Sequence, residues 1–410
     1  MLRPHPPPRS SLVAVLVRGL LVLGVVAIGV GATPRSVSAA PPSWVQDIDA
    51  TIAGHDVSVA IGVGGDWLLR RAAWVRRAPA SNQKLVFSMA LLQRASIATR
   101  IRTRVLAKGG VSDGILRGNL WIVGHGDPTV RKPRIAALAR AVRDAGIRRV
   151  RGRVFGSTAG FRRDWWAPGW RDYFPEEYIP LPTALTFEGN VAGGTHIRDP
   201  ERRAARSLTN RLRALGVRVS GDPGAGAPPP GLRLVATVRS EPFEVILRRM
   251  NRDSRNFHAE VLGKWLGRLV FGGRGTIAKG ARAIERFAAA RGLTIAANDA
   301  SGLSYANRVS AATLVRLLWF AGTRRWGGEL RAGLADGGQG TLEDRLLDVR
   351  IRAKTGTLIG ISALSGWVWL EREGRWGQFS ILSRGMSKSR AVAIEDRIVR
   401  IVSNRAAVPA

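Results

Sequence analysis

The sequence predicts a mixed α/β protein of the α+β kind with more than one domain, and three stretches carry that prediction. Residues 85–92 place Leu85, Met89 and Leu92 at i, i+4 and i+7 with Val86 beside them, the spacing of a helix face. Residues 103–130, "TRVLAKGGVSDGILRGNLWIVGHGDPTV", break into short β-like runs between glycine-rich turns. Helical patterns dominate from about Pro242 to Thr323, after which "IRAKTGTLIGISALSGWVWLEREGRWGQFSILSRG" reads as strands joined by turns before a last helix. At 410 residues and 45% hydrophobic content, the chain can bury a large core.

Residues 1–40 have the order of an export signal: Arg3, His5 and Arg9, an apolar stretch from Leu20 to Ala32, then "PRSVSAA" with small residues suited to cleavage. Arg18 interrupts the stretch, which is shorter than the roughly 20 residues of a spanning helix. Cleavage near Ala40 or Pro41 is therefore expected over a retained anchor, and the mature chain is expected in the periplasm or on the outer side of a cell envelope. Pro79 precedes the 85–92 helix and puts Ser81 in its first turn, with Lys84 about one turn on and on the same side. An insert begins after this helix. It holds helical patterns at 133–144 and near Arg202 to Leu215, with the Trp- and Pro-rich "DWWAPGWRDYFPEEYIPLPTALTFEGN" between them. Residues 221–232, "GDPGAGAPPPGL", read as a linker or long loop. The expected domains are 41–100 together with 241–410, and an inserted domain at 101–240. In the last helix Val392, Ile394, Ile398, Val399, Ile401 and Val402 look core-facing, which favours a packed terminal helix over a membrane-binding one.

The formal net charge is +34, and +30 without residues 1–40, which hold four arginines and no acid. Charge of this size commonly marks nucleic-acid binding. An exported protein rarely meets nucleic acid, however, and the chain has no helix-turn-helix, zinc-finger or aromatic RNA-binding signature. Anionic cell-wall polymers are the expected partner instead; a merely solvated, Arg-rich surface is the alternative. The absence of Cys excludes thiol chemistry, disulfides and cysteine metal sites, and five scattered His residues offer no H-E-x-x-H spacing. Neither a metal nor a cofactor is expected.

Of 64 basic residues only seven are Lys. Arginine would serve wherever charge alone is needed, so a lysine at the head of an apolar helix, in "APASNQKLVFSMALLQRA", calls for a different reason. An ammonium can lose its proton when buried and a guanidinium cannot, so Lys84 is a candidate base three residues after the hydroxyl of Ser81. Alone, S-x-x-K is also what a helix-capping serine beside a solvated lysine would give. Two further motifs strengthen it: Ser254-Arg255-Asn256, and Lys354-Thr355-Gly356, which uses another of the rare lysines.

S-x-x-K, S-x-N and K-T-G in this order are the signature of serine enzymes acylated by penicillins. From about residue 45 to 404 the chain resembles D-alanyl-D-alanine carboxypeptidases/endopeptidases of the class C low-molecular-mass penicillin-binding type. Ser254 follows Ser81 by 173 positions and Lys354 follows Ser254 by 100, leaving room for the insert that this family carries between its first two motifs. "GNLWIVGHGDPTV", "APGW", "LPTALTFEGN", "NDASGLSYANRVS", "GTLEDRL" and "FSILSRG" agree with it. Arg255, His258 and Ala300 depart from the residues common there, and the insert is shorter than in larger members. Tyr305-Ala306-Asn307 also fits the Y-x-N form of the second motif in some β-lactamases, but lies only 49 residues before Lys354 and inside a different family segment.

The resemblance implies a penicillin-binding/β-lactamase-like transpeptidase domain, an antiparallel sheet flanked by helices, with an inserted, mainly β domain. It implies peptidoglycan stem peptides as substrate and β-lactam antibiotics as covalent inhibitors. Ser81 is then the nucleophile, Lys84 the base and Ser254 the proton relay. Asn256, Lys354, Thr355, Gly356 and Thr357 bind substrate, and Lys354 stays cationic and helps to depress Lys84. Two other readings stay open at this point: a catalytically silent envelope-binding protein, and a β-lactamase with a faster route for water to the acyl-enzyme.

Overall fold

Five antiparallel strands form the central sheet, in the order Ile351–Leu358, Ile361–Leu370, Arg375–Arg384, Asp56–Val63, Asp66–Arg71. Both faces are covered, and neighbouring residues along a strand join different cores, as a side-chain period of two requires. Val59, Ile61, Leu364 and Ile381 pack with Trp44, Ile48, Ile398 and Val402 of the helices Ser43–Ile52 and Lys388–Arg405. Ala60, Ala363 and Leu382 pack instead with Leu85, Met89, Leu314 and Leu318 of the helices Gln83–Leu92 and Ala311–Gly322. The computed structural model describes residues 42–405. The export segment read at residues 1–40 lies outside the described residues, and among those described no helix is long and apolar enough to cross a membrane.

Residues 102–239 build a second five-stranded sheet in the order Gly224–Gly226, Val154–Ser157, Asn119–Val123, Arg102–Lys108, Arg233–Arg239, with mixed parallel and antiparallel pairing. The helices Lys132–Asp144 and Pro200–Ala214 cover it, and Leu138, Val142, Leu208 and Leu212 share a core with Val105, Leu120 and Val154.

Two sequence expectations change. Part of the stretch read as a linker, Gly224–Gly226, is an edge strand parallel to Val154–Ser157, because ladder pairing needs only backbone groups and leaves no side-chain pattern to read. The helix Gln83–Leu92 does not present one apolar face: all ten residues are buried, Lys84 and Ser88 among them, because it runs through the centre of its domain between the sheet and the surrounding helices. The terminal helix packs with Ile394, Ile398, Val399, Ile401 and Val402 buried, whereas Val392, also expected to face the core, is only half-buried.

Candidate active site

Ser81 sits in a single 3-10 turn, Ala80–Asn82, that feeds the buried helix. Two close backbone approaches fix that turn. A Cβ on Gly302 would lie 1.9 Å from the Ala80 carbonyl oxygen, and Gly302 also holds φ at +84°, so only glycine fits there. A Cβ on Gly356 would lie 2.8 Å from the Pro79 carbonyl oxygen, so the Ile351–Leu358 strand can press against the serine turn from the other side. Ala80 itself is held at φ +45°, a strained conformation that costs a non-glycine residue roughly 1–3 kcal/mol.

Lys84 is fully buried, and its Nζ has three oxygen partners: Ser81 Oγ at 2.9 Å, Asn256 Oδ1 at 2.8 Å and the Ser301 carbonyl at 2.6 Å. Two of these, the amide and backbone carbonyls, can only accept. A neutral amine therefore gives its two hydrogens to Asn256 and Ser301 and turns its lone pair to the Ser81 hydroxyl. Burial pushes Lys84 down to about 7, against an upward pull from Asp299 and Glu260. Lys354, also fully buried, is pushed well below the ordinary lysine value by burial first and by Lys84 and Lys388 next. Burial is the first cause at both lysines, and because repulsion between two ammonium groups is mutual, each disfavours the protonated form of the other. Lys354 is itself lowered, against the expectation of a firm cation, and a substrate carboxylate beside it would favour its protonated form.

The Ser301 carbonyl is held by a buried network. Glu260 Oε1 accepts from the backbone N–H groups of Ala300 and Ser301, at 2.8 and 2.6 Å. Asp299 accepts from Trp170 Nε1, Asn307 Nδ2 and the N–H groups of Gly302 and Ser304, all between 2.8 and 2.9 Å. Burial raises Glu260 to about 8, helped by Asp299. With Glu260 raised to about 8 and Lys84 lowered to about 7, Glu260 is mostly protonated where Lys84 titrates, so Glu260→Gln, which still accepts both backbone N–H groups, should leave the rising limb of the acylation pH profile nearly in place. A large shift of that limb to lower pH would show that Glu260 is ionised there instead.

Asn256 opens the helix Asn256–Phe271, and its Nδ2 donates to the Tyr178 carbonyl of the insert at 3.3 Å. Ser254 precedes it in the turn after Phe243–Arg252, half-buried and at φ +57°. Lys354 Nζ donates to the Thr355 carbonyl at 2.9 Å. On the same strand the Ala353 N–H bonds Ala335 on the side away from the sheet, so strand alternation turns the N–H groups of Thr355 and Thr357 to that open edge. Asn307 does not reach Lys84: it is bound to Asp299 and to the Asn298 N–H, while the Tyr305 hydroxyl accepts from the Ile359 N–H. The Y-x-N alternative is thereby excluded on geometry.

A sequence model of the D-Ala-D-Ala carboxypeptidase 3 (S13) family matches residues 64–196 and 191–405. The chain belongs to this family. It is 28% identical to a D-alanyl-D-alanine carboxypeptidase of Actinomadura sp. (strain R39), with 86% of this chain and 83% of that protein aligned. It is 29% identical to a carboxypeptidase of Mycobacterium tuberculosis, with 93% and 85% aligned. In fold it is similar to penicillin-binding protein 4 of Haemophilus influenzae, with a TM-score of 0.77 at 18% identity over 88% of this chain and 99% of that one. A penicillin G-acylated predatory endopeptidase of Bdellovibrio bacteriovorus matches at a TM-score of 0.50 and 16% identity, over 85% and 92%.

Two of the three residues that depart from the pattern common in the S13 family, Arg255 and His258, flank Asn256, while the third, Ala300, donates its N–H to Glu260. Arg255 is exposed and pairs with Asp253 at 2.9 Å. His258 is buried and pushed down to about 3, by burial first and then by Arg255, Arg249 and Arg131, so it stays neutral. Sequence reasoning misses Glu260, Asp299 and Ser301, and also Lys388, whose Nζ lies 2.5 Å from Thr357 Oγ1.

Proposed function

We propose that Ser81 is the acylated nucleophile of a serine D-Ala-D-Ala carboxypeptidase acting on peptidoglycan stem peptides. Ser81 Oγ attacks the carbonyl between the two terminal D-alanines, and its proton passes to the neutral Lys84 Nζ. The N–H groups of Ser81 and Thr357 hold the developing oxyanion, each worth about 3 kcal/mol in the transition state. The proton reaches the leaving amine by way of Ser254, D-alanine departs, and water hydrolyses the Ser81 ester. Asn256 holds the substrate amide as well as Lys84, while Lys354, Thr355 and Thr357 take the terminal carboxylate and Gly356 allows the strand to close on the serine turn. The reading rests on one observation: a fully buried lysine whose lone pair has the Ser81 hydroxyl as its only possible donor among its three partners.

The same Ser81 would be acylated by β-lactams, and the enzyme would work outside the cytoplasm, with residues 1–40 as its export signal and residues 101–240 as a domain inserted in the catalytic one. Cutting cross-links between peptides breaks the same D-alanine-linked bond and belongs to the proposal as endopeptidase activity. A fluorescent penicillin tests the reading. A long-lived adduct together with D-alanine release from a soluble peptide ending in D-Ala-D-Ala is expected. No adduct would leave an envelope-binding protein, and an adduct lost within seconds a β-lactamase.

A further inference from the structure

We infer that the insert carries an anion-binding track which ends at Asn256 and holds the C-terminal carboxylates of neighbouring stem peptides on the polymeric substrate. The inference rests on the carboxypeptidase reading above.

The insert helices Lys132–Asp144 and Pro200–Ala214 leave an open groove of about 650 Å³ between them. Its charged lining is Lys132, Arg203, Arg206 and Arg211, with no acid, beside apolar groups that include Pro133 and Phe187. Arg203 is tied to Asp199 at 3.1 Å, whereas the exposed Arg206 and Arg211 form no ion pair with any described residue. A second cavity of about 470 Å³ is lined by Asn256 and shares Pro133 with the groove, so the two spaces adjoin at Pro133.

Four arginines line the second cavity. Arg131, Arg134, Arg249 and Arg255 each have a carboxylate partner, Glu188 at 3.6 Å, Asp127 at 2.9 Å, Glu241 at 2.5 Å and Asp253 at 2.9 Å. Of those acids only Glu241 lines the cavity. The guanidinium groups therefore outnumber carboxylates on the inner surface, and the same excess is felt at His258, which is lowered by three of these arginines and raised by Asp253 alone. The His258 Nδ1 in this wall is buried without a hydrogen-bond partner.

The chemistry of the reaction identifies what fits. Each uncut stem peptide ends in a free carboxylate, because the enzyme removes a C-terminal D-alanine. A strand bearing many such peptides is a row of carboxylates, whereas one soluble peptide brings a single carboxylate, which the Lys354 strand takes. Guanidinium forks match carboxylates. Each exposed pair is weak, but several along one polymer act at high effective concentration.

The test compares Arg206→Glu/Arg211→Glu with Arg140→Glu/Arg397→Glu, two exposed arginines outside the groove. At low salt the groove variant should raise the KM for D-alanine release from isolated polymeric peptidoglycan about tenfold. Its release from a soluble D-Ala-D-Ala peptide should stay as in the unaltered chain, and the polymer defect should vanish as salt screens the track. Arg206→Gln/Arg211→Gln should show a smaller rise in the same direction, with an unchanged melting temperature. Equal polymer defects in both Glu pairs would overturn the track in favour of diffuse charge. An unchanged polymer KM would overturn it too, even if retention on whole walls fell, since the groove would then hold some other wall polymer. Loss of soluble-peptide release from the unaltered chain is the separate result that removes the carboxypeptidase reading.

Discussion

Ser81→Ala should abolish D-alanine release, lowering kcat/KM by at least about 10⁴-fold, the scale on which loss of a nucleophile is felt in serine hydrolases. The fold should survive. Lys84 keeps Asn256 Oδ1 and the Ser301 carbonyl as partners, so the substitution removes one hydrogen bond worth about 1 kcal/mol and leaves no buried charge unpaired. In a domain of this size the melting temperature should move by no more than about 3 °C. Residual release near the normal rate would place the nucleophile elsewhere, and a large fall in melting temperature would make Ser81 a structural residue first.

Lys84→Arg should slow acylation at least about a hundredfold. The substitution keeps a cation in the site but offers no group that can take the Ser81 proton, since a guanidinium stays protonated in proteins. The pH dependence follows from the same assignment. Lys84 is held down to about 7 by burial, so its neutral form, and with it the acylation rate, should rise with pH around about 7 and level off above it. Below that range Lys84 is protonated and acylation is lost. Near-normal acylation by the arginine variant would mean that Lys84 serves only as a charge. Equality of melting temperatures between variant and parent separates this from simple overpacking.

The rarity of lysine makes part of the site legible, because replacing Lys by Arg preserves charge but removes the ability to titrate. Rarity alone does not separate the other lysines; the structure does, with Lys264 fully buried and bonded to the carbonyls of Arg162, Asp164 and Pro182 at 2.8–3.1 Å, and Lys388 at Thr357. Lys264 thereby pins the insert's Trp- and Pro-rich segment onto the helix that Asn256 opens. Glu260 stands four residues after Asn256 on that helix, so its face is readable even though its partners are not. Ser301 is illegible in principle, since it acts through a carbonyl that every residue has. The central strands and the terminal helix can be read because their apolar runs are long and periodic. The burial of Gln83–Leu92 on every side cannot, because Lys84 and Ser88 are accommodated by individual hydrogen bonds, Lys84 to Asn256 and Ser88 to the Lys84 carbonyl at 2.7 Å. The place of the second sheet, between Ser81 and Ser254, is foreshadowed by the distance between those two motifs.

The covalent bond to penicillin is the most direct probe of the central assignment, and trypsin makes its position unambiguous. Cleavage after Arg77 and Lys84 releases residues 78–84, "APASNQK", in which Ser81 is the only hydroxyl, whereas Ser254 leaves in residues 253–255, "DSR". Mass spectrometry of the penicillin-treated, digested protein should find the added mass of the opened β-lactam on the 78–84 peptide. The same mass on the 253–255 peptide, or on any peptide that lacks Ser81, would contradict the account.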